Sequence, residues 1–181
     1  MKVTKEQMKA IMPNAGERID IYLPYINDYA DAFNINTPLR MAHFLAQVAH
    51  ETAELVHLRE IGNADYCHKY EVGKLAKMLG NTQKGDGYRY KGRGFLHLTG
   101  RANYKAYTNS KYCKGDVIAE PKLLEQPRGA VKSGMWFWLM KGLNALADKN
   151  DILAITKRIN GGTNGLTSRT KYWKRALKAF N

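Results

Sequence analysis

Residues 37–60 read TPLRMAHFLAQVAHETAELVHLRE, and they open like a helix. The Thr37 hydroxyl can accept from the orphan amides of a first turn, and Pro38 suits the first helical position, where no amide donor is needed. Met41, Phe44, Leu45, Val48, Thr52 and Leu55 then recur at the spacing of one buried helix face. Glu51 falls on the edge of that face, beside Val48 and Leu55. A carboxylic acid there is partly desolvated, which favours its protonated form, the state a general acid needs.

Glu60 follows nine positions after Glu51. Two carboxyl groups can split a glycosidic bond with inversion. One protonates the leaving oxygen, and the other activates water on the opposite face, across a gap of roughly 6.5–9.5 Å. Nine more residues of helix would rise about 13.5 Å and turn Glu60 away. The helix is therefore expected to end near Leu58, with Gly62 and Asn63 carrying the chain out. On spacing alone the pair does not stand out from the solvated glutamates that most helices carry.

Outward from this stretch, the chain reads as helices punctuated by turns. Thr4 with Gln7 resembles a capping box. A second helix carries Ile19, Tyr22, Leu23, Ile26 and Phe33, with a bend expected at Pro24. Residues 61–70 read as a loop, and a short helix follows that ends at Gly80. Residues 80–94, GNTQKGDGYRYKGRG, break regular structure. A helix resumes near Thr99. Pro127 starts the next, which Gly142 ends; Asp148 caps another holding Ile152, Ile155 and Ile159; Ser168 opens a last, basic helix. No strand alternation, repeat or linker is present. The expectation from this pattern is one mainly α domain over 1–181, with loops at 61–70, 80–98 and 160–167 available to build a cleft.

The 181 residues are enough to bury a core, and 44% hydrophobic content excludes a disordered chain. The net charge of +13, from 29 Lys plus Arg against 16 Asp plus Glu, implies an anionic partner: nucleic acid, a membrane surface or a cell-wall polymer. No run is long enough to cross a bilayer, and the start lacks the apolar core of a secretory signal. Synthesis in the cytoplasm is therefore expected, with release by other machinery. Cys67 and Cys113 are expected to be free thiols.

His43, His50, Glu54 and His57 form a stripe that reads as a solvated polar face. The HExxH zinc motif fails, because Glu54 stands where the second His belongs. GDGYRYKGRG lacks the lysine and hydroxyl of a phosphate loop. Neither cysteine has the setting of a nucleophile.

Four segments together carry a resemblance. FLAQVAHET at 44–52, followed by Glu60 and Tyr66, resembles the catalytic segment of glycoside hydrolase family 19, which comprises plant-type chitinases and many phage endolysins. YKGRGFLHLTGRANY at 90–104 is similar to that family's YxGRGxxQLTxxxNY signature. INGGTNG at 159–165 and RTKYW at 169–173 resemble its later signatures, in the same order.

The resemblance implies Glu51 as general acid, Glu60 as general base, and Thr99 as a hydroxyl that helps hold the attacking water. It implies Asn103 and Asn160 as substrate-binding residues. Arg93 and Arg169 are implied as semi-buried basic residues that orient carboxylates. Gln47, Tyr66 and Tyr90 are carried over with the substrate-binding set, the tyrosines between 88 and 107 as stacking platforms for sugars. His97 stands where the family usually has Gln; an imidazole charges near pH 6.5 and is expected to add a limb to the pH profile. The resemblance further implies a mainly α, lysozyme-like single domain with a cleft formed by helices and loops, no separate cell-wall-binding module, and an enzyme that inverts configuration without metal, cofactor or covalent intermediate.

The short step between the glutamates resembles the phage and bacterial branch, and +13 suits an anionic bacterial envelope. Peptidoglycan glycan strands are the expected substrate, cleaved by a monomer in the periplasm or wall after release. Chitin and, more distantly, a non-catalytic role in binding nucleic acid are the alternatives. The lysines of the last helix are read as steering towards the anionic envelope, and its aromatics Trp173 and Phe180 as core packing.

Overall fold

The computed structural model describes all 181 residues. Helices carry the chain, and the strand-like pairings are isolated bridges, Arg59 with Arg93 and Arg93 with Leu98. The mainly α, lysozyme-like class is the one observed. No helix is long and apolar enough to cross a membrane. Two compact units form, Met1–Val56 with Met135–Asn181, and His57–Gly134.

The first unit holds α1 (Lys5–Ile11), α2 (Arg18–Tyr29) and α3 (Pro38–Glu51). Thr4 and Gln7 form the full reciprocal capping box of α1. Pro24 sits within α2, and the stretch beyond Tyr29 tightens into a 3₁₀ turn, Ala30–Phe33, ended by Asn34 in the left-handed region. Thr37 accepts from the Arg40 amide at 3.2 Å, with Pro38 at the first helical position of α3. Met41, Phe44, Leu45 and Val48 are fully buried, and Phe44 meets the edge of Trp138 at 5.5 Å.

The end of α3 differs from expectation. The helix stops at Glu51 and does not run on to Leu58. Ala53, Glu54 and Leu55 have φ of 48°, 58° and 68°, three successive non-glycine residues in the left-handed region. Each costs about 1–2 kcal/mol relative to a right-handed turn. Thr52 stitches the turn together: its hydroxyl donates to Val48 O at 2.7 Å and accepts from the Leu55 amide at 2.8 Å.

The second unit carries α4 (Ala64–Cys67), α5 (Gly73–Leu79), α6 (Asp86–Arg89), α7 (Arg101–Thr108) and the start of α8 (Pro127–Met140). Residues 61–70 are thus not all loop. Asn63 caps α4 by accepting from the Tyr66 amide, and a 3₁₀ turn, His68–Glu71, follows. Gly80 ends α5 in the left-handed conformation.

The remainder of α8 returns to the first unit, followed by α9 (Leu143–Asp148), α10 (Ile152–Asn160) and α11 (Leu166–Phe180). Gly142 leads into α9, while α8 has already ended at Met140. Asp151, not Asp148, caps α10, accepting from the Ala154 amide at 2.8 Å; Asp148 is drawn into an ion pair with Arg40. Helix α11 begins at Leu166 behind Gly165, so Ser168 lies inside it. It packs along α3. Trp173 stacks on His43 at 5.6 Å, which makes this aromatic part of the packing. Nor is the histidine stripe a solvated face: His43 and Glu54 are buried. Cys67 and Cys113 are both free thiols.

Candidate active site

In the first unit the candidate acid closes α3. The Glu51 side chain is 16% exposed, and its Oε1 accepts from Arg169 Nη2 at 2.5 Å. Arg169, on α11, is 2% exposed, and its Nη1 donates to Gln47 Oε1 at 2.5 Å. Gln47 lies four residues before Glu51, one turn back on the same face, so a single guanidinium spans both. Gln47 is fully buried. It supports Arg169 and cannot meet a sugar, which corrects its placement among the substrate-binding residues.

Asn160 ends α10, with its Nδ2 donating to Asn164 O at 2.7 Å and its Oδ1 accepting from the Gly162 amide at 2.7 Å. Arg169 Nε reaches the same Asn164 carbonyl at 3.4 Å. The NGGTNG loop is thus folded on itself and tied to the arginine that holds Glu51. Gly165, in the left-handed region, lets the His50 ring lie against it, where a Cβ would collide with the imidazole. Burial, then Arg169, pushes the His50 pKa below its usual value, with Glu51 opposing.

In the second unit the candidate base has neighbours of its own. The Glu60 side chain is 17% exposed. Tyr70 OH donates to Oε1 at 2.6 Å, the Gly92 amide to Oε2 at 3.3 Å, and Lys69 Nζ lies 3.7 Å from Oε1. Both hydrogen bonds make Glu60 an acceptor, the role of a general base. Burial and the Glu60 carboxylate push the Tyr70 phenol well above its usual range, so it remains a donor. The Glu60 amide donates to Gly92 O at 2.8 Å, which fixes the backbone of the base to the glycine beside it.

A Cβ at Gly92 would meet His97 Cβ and Thr99 Oγ1. Glycine there lets Glu60, His97 and Thr99 share one neighbourhood. The Thr99 hydroxyl donates to His97 O at 2.7 Å, which directs its proton inward and presents its oxygen as an acceptor. Asn103 Nδ2 donates to Thr99 O at 2.7 Å and braces the same loop from α7. His97 has φ 46°, and its Nε2 lies 3.3 Å from His57 O, so this nitrogen is the donor in that bond.

Tyr90 does not offer the exposed stacking ring expected of it, whereas Arg93 makes the carboxylate contact expected of it. Tyr90 is buried edge-on against Tyr104 at 5.1 Å. Arg93 is buried too. It donates to Glu125 at 2.7 Å, Arg89 O at 2.8 Å and the Tyr104 hydroxyl at 3.0 Å. It orients a carboxylate, that of Glu125, and otherwise ties the glycine-rich loop together. Tyr104 and Tyr107 are likewise core, which leaves Tyr88 and Tyr66 as exposed rings. Tyr66 has Lys69 Nζ 3.5 Å from its centroid.

Sequence reading missed Tyr70, Lys69 and Gly92 as partners of Glu60. Only Gly92 had a signal, since it lies within the GRG signature. No three His, Cys, Asp or Glu side chains gather into a metal-ligand set.

The chain is similar to known proteins over most of its length. The model of the glycoside hydrolase 19 family, chitinase class I, matches residues 27–160. A glycosyl hydrolase family 19 domain-containing protein of Haemophilus influenzae is 30% identical over 172 residues, 79% of this chain and 81% of that protein. Chitinase 4 of Oryza sativa subsp. japonica is 28% identical over 83% of this chain, which spans 52% of the rice protein. Among solved structures, chitinase C of Streptomyces griseus superposes with a TM-score of 0.75 at 22% identity, over 98% of this chain and 92% of that one, a likeness of fold. The family match covers well over half of the sequence, and with the Haemophilus relative it places the chain in glycoside hydrolase family 19, as a glycoside hydrolase.

Proposed function

We propose that the protein is a phage-type endolysin that hydrolyses β-1,4 bonds in the glycan strands of peptidoglycan with inversion, lysing the host cell. Glu51 gives its proton to the leaving glycosidic oxygen as the bond to the anomeric carbon breaks. Arg169 then holds the carboxylate that remains. Glu60, steadied by Tyr70 and Gly92, takes a proton from the water that attacks the anomeric carbon. The acceptor oxygen of Thr99 helps to hold that water. Exchange with solvent resets both carboxyl groups.

The observation that carries the choice of polymer is the net charge of +13. It suits an anionic wall and brings no advantage on neutral chitin. Lys171, Lys174 and Lys178 are exposed on α11 and supply part of the envelope-facing charge in this reading. The second reading, a chitinase, is favoured by the names of the rice and Streptomyces relatives.

The test is hydrolysis of purified peptidoglycan beside chitin oligomers, with products identified by mass spectrometry. Glycan fragments with newly formed reducing ends from peptidoglycan, and little from chitin, are expected; the reverse selects the chitinase. In Glu51→Gln the rate should fall by about 10²–10⁴-fold, the usual contribution of a general acid. Near-normal turnover in that variant would sink the assignment of the acid.

A further inference from the structure

We propose that Glu54 is a positioning residue: held by Asn14 and Tyr172, it pins the left-handed exit of α3 and thereby fixes Glu51 at the helix end beside Arg169. This rests on the reading of Glu51 as the acid.

The starting point is backbone conformation. Ala53, Glu54 and Leu55 all lie in the left-handed region, and none is glycine. Their own chemistry argues for the opposite, because alanine, glutamate and leucine are strong formers of right-handed helix. Left to itself, the segment after Glu51 would continue α3. Strain of this kind persists only where the surroundings over-determine it.

Glu54 is where the surroundings act. It is 4% exposed and sits in the middle of the strained triplet. Its Oε2 accepts from the Asn14 backbone amide at 2.5 Å, and its Oε1 from Asn14 Nδ2 at 3.2 Å and from Tyr172 OH at 2.8 Å. An unbonded carboxylate buried at this site would be strongly disfavoured, so extending the helix carries the penalty of abandoning these donors. Burial, then Glu54, pushes the Tyr172 phenol up to about 12, which keeps it a donor throughout the working range.

The geometry couples this anchor to the acid. Tyr172 lies three residues after Arg169 on α11, and Glu54 lies three residues after Glu51. Arg169 and Tyr172 therefore share one face of α11, while Glu54 follows Glu51 just beyond the end of α3. Helix α11 therefore grips the end of α3 and its exit at two points, Arg169 on Glu51 and Tyr172 on Glu54. Losing the second grip lets α3 lengthen, and Glu51 passes from a helix terminus to a helix interior with Arg169 misaligned.

The test compares kcat and KM of wild type, Glu54→Gln and Tyr172→Phe on whichever polymer, purified peptidoglycan or an N-acetylglucosamine hexamer, the wild type cleaves. Glutamine keeps the size but turns an amide donor towards donors; phenylalanine keeps the packing and removes one bond. Both are expected to lower kcat about tenfold with KM within about twofold, since misplacing a reacting group reduces turnover more than binding. Adding Ala53→Gly, at an exposed position, to Glu54→Gln should recover kcat about threefold, because glycine takes the left-handed conformation unaided.

A purely structural Glu54 would lower Tm and leave kcat per folded molecule unchanged, and that result overturns the inference. Should Glu54→Gln fail to fold, Tyr172→Phe with unchanged kcat overturns it equally. An active Glu51→Gln, or a wild type that cleaves neither polymer, overturns the parent reading and the inference with it. An inactive Glu51→Gln beside unimpaired Glu54 and Tyr172 variants removes the inference alone.

Discussion

Tyr70 bears directly on the candidate base, through a 2.6 Å hydrogen bond to Glu60 Oε1. A hydrogen bond to a charged group contributes about 1.5–3 kcal/mol, and each 1.4 kcal/mol is tenfold in rate if it acts at the transition state. Tyr70→Phe should therefore lower kcat by about tenfold or more, with Tm lowered by roughly 3–10 °C through the lost bond while the ring still packs. Steady-state kinetics with a melting curve would show it, and full activity in the variant would reduce Tyr70 to packing. Nothing in the sequence points to this tyrosine, because its reach to Glu60 depends on the 3₁₀ turn at His68–Glu71, itself read as loop. The signature segments, kept in their order, are what single out Glu51, Glu60 and Thr99 as candidates. At Tyr90 and Gln47 the side chains expected to meet a sugar are buried, whereas Arg93 makes the carboxylate contact expected of it. A motif shows that a residue matters and does not say which way it points. Arg93 points into a net of carbonyls, Tyr104 and Glu125, and its work is to hold the loop that carries Gly92.

Helix starts were more legible than helix ends. Thr37 and Pro38 act within one turn of each other, so their chemistry is visible locally. The end of α3 is set by partners 40 and 118 positions away, Asn14 and Tyr172, and no local pattern announces them. Asp148 and Asp151 are equally good caps by type, and Arg40 decides between them by claiming Asp148. The packing of α11 on α3 makes stability depend on pH. His43 lies fully buried in α3, stacked on Trp173 of α11, and its Nε2 is 2.9 Å from Asn150 Oδ1. Burial lowers its pKa below 6.5, with Asn150 and Asp151 opposing. The neutral form suits the folded state, so this contribution is complete above the unfolded value and is lost as pH falls below about 6.5 through the folded value. One proton of difference gives a slope of at most about 1.4 kcal/mol per pH unit. Urea unfolding between pH 7 and 5 should show the decline, and His43→Gln should flatten it; His50, also lowered, accounts for the remainder. A variant as pH-sensitive as wild type would place the titration elsewhere.

At the scale of the molecule, charge distinguishes the two candidate polymers. A net +13 attracts an anionic wall over distances set by the ionic strength, about 8 Å at 0.15 M salt and about 3 Å at 1 M. Attraction of this kind acts on encounter and dwell at a charged polymer and not on the chemical step. Lys171, Lys174 and Lys178 occupy one exposed stripe of α11, at spacings of three and four, and no acidic residue follows Asp151 to offset them. Charge reversal of all three, Lys171→Glu, Lys174→Glu and Lys178→Glu, should lower the initial rate on insoluble peptidoglycan about tenfold at low salt. Cleavage of a soluble, neutral N-acetylglucosamine oligomer should change by no more than about twofold. Wild-type activity on peptidoglycan should fall as salt rises, and the triple variant should show a shallower decline from its lower starting rate. Equal losses on both substrates would make the lysines part of the packing of α11, and equal retention would leave them no role in steering. A selective loss on the anionic polymer, largest where screening is weakest, is the outcome that an endolysin working on an anionic wall requires.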